Sequence, residues 1–144
     1  MKNKKGFTLI ELLAVIAIIA LISLVAIPNI VGLSTGVRKD QMLDDAKKLI
    51  SLAKYQVNKS YAIRANPPHT FTFAELNING DIEKDPDGGN YVQSQSKVTY
   101  SVDNGEANYC VILVGSKRRI GSYESNQCVD ENNLYSRRNV VDIE

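Results

Sequence analysis

The sequence predicts an α+β chain, with one long N-terminal helix packed on a small antiparallel β-sheet. Three observations predict it. The apolar run from Leu12 to Ile27 contains a single polar side chain, Ser23. Farther on, Met42, Ala46, Leu49, Ile50, Ala53 and Val57 recur at helical spacing and form one apolar stripe. The second half of the chain holds β-prone runs separated by turns rich in Gly, Asn and Asp.

The first element is the apolar helix. From Phe7 to Ile27 it would be about 30 Å long, close to the thickness of a bilayer's hydrocarbon core. Lys2, Lys4 and Lys5 precede it, which places the N-terminus on the cytoplasmic side. A secretory signal would be shorter and would end at a small-residue cut, whereas this run ends in Ile27-Pro28-Asn29. The segment carries one charge, Glu11, near its start. A carboxylate in a membrane segment costs on the order of 2.5–3.5 kcal/mol, so Glu11 is expected to meet a positive partner when the chain assembles. Pro28 lacks an N–H and clashes with the preceding turn, and Gly32 and Gly36 follow. A kink or loosened turn is expected there, with a plain helix end at Pro28 as the alternative.

Gly6-Phe7-Thr8-Leu9-Ile10-Glu11 resembles the class III signal of type IV pilins and of the related pseudopilins of type II secretion. The resemblance covers roughly Lys4 to Pro28. It implies the type IV pilin fold. It also implies that a membrane prepilin peptidase cuts between Gly6 and Phe7 and methylates the new amine of Phe7. Glu11 would then pair with the Phe7 amine of a neighbouring subunit, and Pro28 would be the helix-kinking proline. The physics suits these roles. Gly6 lets a protease approach the backbone. A freed amine at membrane depth needs an anion, and a wrongly offset subunit would leave a carboxylate unpaired in lipid.

Beyond Pro28 the helix becomes amphipathic and should run to about Lys59, burying its stripe against a soluble domain. Asp44 and Lys48 form a helix-supporting i,i+4 pair. The expected organisation is therefore a leader at 1–6, a transmembrane and assembly helix at 7–28, the amphipathic half of the same helix at 29–59, and a globular domain with the sheet at 60–144. Asn66-Pro67-Pro68 ends any helix. Thr70-Phe71-Thr72-Phe73 alternates like a strand, but Phe73-Ala74-Glu75-Leu76 could equally begin a short helix. Tyr91-Val92 with Val98 to Val102 reads as a broken first strand. Asp103-Asn104-Gly105-Glu106 reads as a hairpin turn. Ala107 to Val114 is the central strand, buried on both faces along Cys110–Val114, and Arg119 to Tyr123 is the return strand. The expected sheet is a meander of about three strands, with Val140-Val141 and Ile143 as a further edge.

The whole chain has 17 basic and 16 acidic side chains, a net charge of +1. That leaves no overall basic footprint for nucleic acid. Lys117, Arg118 and Arg119, with Arg137 and Arg138, make two local basic spots. They read first as a solvated hairpin tip and tail, and DNA or another anionic surface is their lesser reading. Asp81, Glu83, Asp85 and Asp87 alternate and end at Gly88. Such oxygen-rich spacing can hold Ca²⁺, but Pro86 interrupts it and no closing glutamate follows, so a solvated acidic turn is expected instead. Asp85-Pro86-Asp87-Gly88 is faintly similar to the calcium-bearing loop of major pseudopilins. His69, the single histidine, reads as a surface residue.

The two cysteines, Cys110 and Cys128, can be a disulfide, since an exported chain meets oxidising conditions, or two buried thiols. Many type IV pilins carry a bridge near the C-terminus, so the resemblance favours the disulfide. No metal-ligand cluster, nucleophile elbow or phosphate loop is present in the sequence. Neither catalysis nor a cofactor is expected, and the chain reads as the substrate of an enzyme. The function implied is that of a prepilin: a single-pass inner-membrane precursor that polymerises into an extracellular pilus for adhesion, motility or related surface roles. The implied partners are the prepilin peptidase, other copies of the chain, the inner-membrane assembly platform and, before assembly, the membrane. The alternative is a pseudopilin of a type II secretion or competence DNA-uptake system.

Overall fold

The computed structural model describes residues 7–143, with the side chains of residues 24–33 left out of the description. Helix α1 spans Leu9–Lys59. The chain divides into two compact units, Met1–Gly36 and Val37–Glu144. In the first unit, every large apolar side chain described from Phe7 to Ile22 is 46–85% exposed. Among the described residues, no helix is long and apolar enough to cross a membrane. The end of the apolar run, Leu24 to Ile27, and the expected bend at Pro28 with Gly32 lie outside the described side chains, as do Gly6 and the rest of the leader outside the described residues.

The second unit is an α+β domain. Its part of α1 buries the stripe read from the sequence: Met42, Ala46, Leu49, Ile50, Ala53 and Val57 are all 3% exposed or less, and Leu43 joins them. Ser60 interrupts the helix and accepts a hydrogen bond from the Ile63 N–H, starting the short α2, Tyr61–Ala65. Strand β1, His69–Thr72, runs directly into α3, Phe73–Leu76. Both readings of this stretch are therefore realised in succession. Thr72 closes the strand and caps the helix, forming a reciprocal capping box with Glu75.

The sheet is larger than a three-stranded meander. Besides β1 it contains β2 (Lys97–Asp103), β3 (Glu106–Val114), β4 (Arg118–Ile120), β5 (Val129–Asp130) and β6 (Val140–Asp142). The order is β1-β2-β3-β4-β6, with β5 also on β3, and every pairing is antiparallel. The turn between β2 and β3 places Asn104 at φ 52° and Gly105 at φ 86°, the two consecutive left-handed residues of a tight hairpin. Tyr91 and Val92 do not extend β2. Val92 donates a single hydrogen bond to the Val114 carbonyl, and a 3₁₀ turn at Gln93–Gln95 separates it from the strand. The return strand stops at Ile120 because Gly121 turns at φ +73°.

Strand β3 organises the domain. Val111 and Leu113 join α1, Leu134, Ile120 and Val140 in the core. Ile112, 1% exposed, lies outside that cluster, and a Cβ on Gly121 would sit 3.3 Å from it. So the run Cys110–Val114 is covered on both faces, one side by the helix and the other by the segment near Gly121 and Cys128.

Candidate functional site

The N-terminal site starts from local helix chemistry. A helix leaves its first N–H groups without intrahelical partners. Thr8 stands just before α1, and Glu11 lies three residues on. The Thr8 N–H donates to Glu11 Oε2 at 2.9 Å, and the Glu11 N–H points back to Thr8 Oγ1 at 3.4 Å. This is a capping box around the residues of the signal. The Thr-x-x-Glu spacing is the sequence signal of this cap. Among the described residues, the hydrogen-bond partners of the Glu11 carboxylate all lie on Thr8. Phe7 is 85% exposed.

In the second unit, Asp85 and Asp87 are not a solvated turn. Asp85 is 4% exposed. Its Oδ1 accepts from the N–H groups of Asp87 and Gly89 at 2.9 Å each, and its Oδ2 accepts from the Ser116 N–H at 2.5 Å. Burial alone would raise the Asp85 carboxyl, but these hydrogen bonds outweigh it and hold the group below its ordinary value. Asp87 accepts from Arg118 and, at 3.3 Å, from Arg38. The carboxylates of Asp85 and Asp87 are thus engaged by backbone amides and guanidinium groups, whereas Asp81 and Glu83 are exposed. Among the described residues, no group of three or more His, Cys, Asp or Glu is arranged to hold a metal ion. A side chain on Gly89 would meet Ser116 at 2.6 Å, so this tight loop requires glycine there.

These ion pairs form a collar around one turn of α1. Arg38 reaches Asp87, Lys39 reaches Asp142 at 3.2 Å, and Asp40 pairs with both nitrogens of the Arg137 fork at 2.5–2.6 Å. Arg118 joins Asp87 to Asp142. The Arg137 hydrogen bond lowers the Asp40 carboxyl, and Lys39 followed by Arg118 lowers Asp142. Deeper in the domain, the Tyr91 hydroxyl donates to Asp45 at 2.6 Å. Burial, and then that hydrogen bond, raise the phenol. Burial also raises Asp45, against the opposing effect of Tyr91.

Cys110 and Cys128 form a disulfide with a Cα–Cα distance of 5.5 Å. It ties the middle of β3 to the segment that leads into β5, where Cys110 pairs with Asp130 across the ladder. His69 is half-buried rather than fully exposed, and its ring lies edge-on to Phe71.

Residues 1–27 match the family model of the prokaryotic N-terminal methylation motif, which supports a prepilin of the type IV pilin or pseudopilin kind. The match covers the N-terminal segment alone. Comparison with curated proteins and with solved structures gave no match.

Proposed function

We propose that this chain is a subunit of a type IV pilus. A peptidase of the cytoplasmic membrane face cuts the Gly6–Phe7 bond, the Phe7 amine is methylated, and copies of the chain polymerise through residues 7–28. Before assembly the apolar segment resides in the inner membrane. Afterwards the fibre stands on the cell surface with the sheet domain outward. The chain itself carries out no catalysis.

The observation that supports this reading most is the methylation motif on a segment whose described large apolar side chains, Phe7 to Ile22, are all exposed. A helix apolar all round is stable only when buried. Lipid supplies that burial before assembly, and the helices of neighbouring copies supply it afterwards. Glu11 has a specific part. Its described partners all lie on Thr8, and an ionised carboxylate has acceptor capacity beyond two hydrogen bonds, so it can also accept from the methylated amine of Phe7 of a neighbour. The cap and the intersubunit contact can then coexist on one carboxylate, and the contact fixes the register of each incoming subunit. Pro28 loosens the helix between its assembly half and the domain.

The second reading, a pseudopilin, shares the motif and the processing. The closed Asp85 loop, whose carboxylate oxygens are already occupied, favours the pilus. Electron microscopy of sheared surface fibres, with the subunit identified by mass spectrometry, tests the choice. Long abundant fibres made of this chain are expected. Their absence at native expression, with the chain processed and retained in the envelope, would assign it to a pseudopilus.

A further inference from the structure

The five basic side chains of the two sequence spots have different fates. Arg118 pairs with Asp87 and Asp142, and Arg137 pairs with Asp40. Arg119 and Arg138 have no ion pair and no side-chain hydrogen bond among the described residues. Yet both line one groove of about 490 Å³, together with Ser122, Gln127, Asn139 and Val141.

The topology brings them together. Along β4 the side chains of Arg118 and Ile120 are buried, so the residue between them, Arg119, faces the opposite side of the sheet. Arg119 pairs in register with Val141 of β6. Arg138 lies in the 3₁₀ turn Arg137–Asn139 that leads into that strand. The segment holding Gly121, Ser122 and Cys128 closes the third side, held by the Ser122–Gln127 bridge and the disulfide.

Among the described residues, no aspartate or glutamate lines the groove. Two uncompensated guanidinium groups in one concave site repel each other and create a local positive potential. An anion between them relieves both effects. One arginine fork already satisfies the two oxygens of a carboxylate, whereas a phosphate offers oxygens to two forks and to neighbouring hydroxyl and amide donors. The volume is that of a small-molecule site rather than of a bare ion.

We propose that this groove binds a phosphate ester, with Arg119 and Arg138 gripping the phosphate. The ester comes either as a free sugar phosphate or as one unit of a phosphodiester chain. The full-length chain in non-ionic detergent and phosphate-free buffer is titrated by calorimetry with ribose 5-phosphate and, separately, with a short single-stranded oligonucleotide. Saturable binding of either probe supports the site, and the tighter probe identifies the source. Arg119→Gln and Arg138→Gln should each weaken binding at least tenfold, and Val141→Glu, which places a carboxylate at the groove, should do the same. Lys117→Gln, outside the groove, should change it less than twofold. Failure of both probes to bind overturns the proposal. So does equal weakening by Lys117→Gln, which would mean attraction to bulk charge alone.

Discussion

Replacing Asp85 tests how this domain holds its longest loop. Three backbone N–H groups converge on a carboxylate that is 4% exposed. Hydrogen bonds to a charged acceptor contribute about 1.5–3 kcal/mol each. A simple sum overstates the loss, because the loop is near the surface and the freed amides of Asp87 and Gly89 can rehydrate. Asp85→Ala should therefore cost about 3–5 kcal/mol. Asp85→Asn keeps an oxygen for Asp87 and Gly89 but turns an amide N–H toward the Ser116 N–H, and should cost about 1–3 kcal/mol. The sign with pH follows from the lowered carboxyl. Its contribution is fully present above the unfolded value of about 3.9 and is lost as pH falls through the folded value. The gap between the native chain and Asp85→Asn should thus be constant between about pH 5 and 7 and shrink below about pH 4. Urea unfolding of the full-length chain in non-ionic detergent, followed by the near-ultraviolet circular dichroism of its tyrosines, measures both. An Asp85→Ala chain within about 0.5 kcal/mol of the native one would refute the reasoning, as would a gap that widens in acid.

The other predictions concern the assembly helix, the disulfide and the core. Glu11→Ala should be cleaved by a prepilin peptidase at the normal rate but form few fibres, and a normal fibre yield by electron microscopy would remove the register role. Converting both Cys110 and Cys128 to Ser should lower domain stability by about 3 kcal/mol, read as a lower urea midpoint, with dithiothreitol having the same effect on the native chain. Leu49→Ala, at a position with 0% exposure, should cost about 2–5 kcal/mol. Arg118→Ala leaves the Asp87 side chain, 2% exposed, with Arg38 alone and should cost about 2–4 kcal/mol by the same urea assay.

What could be read from the sequence was what depends on near neighbours. The stripe from Met42 to Val57 repeats every turn, and the side chains that it names are the ones that pack. The Asn104-Gly105 turn is legible because positive φ restricts the residue types that fit. The stretch Thr70 to Leu76 reads two ways because a strand passes directly into a helix there, with Thr72 ending β1 and capping α3. The short strands β4, β5 and β6 were harder to read, because two or three residues carry little periodicity and their pairing is set by partners far along the chain. Asp85 was misread for the same reason. Its acidic spacing is local, but what determines its state is Ser116, which the turn after β3 brings to it from 31 residues away. The groove at Arg119 and Arg138 likewise depends on where the fold places Asp87, Asp142 and Asp40.

The most direct test of the account is intact mass spectrometry of this chain after co-expression with a prepilin peptidase in membranes. A mass lacking Met1 to Gly6 and carrying one added methyl group on the Phe7 amine is predicted. A full-length mass with an unmodified Phe7, under conditions where the peptidase processes a control prepilin, would contradict it.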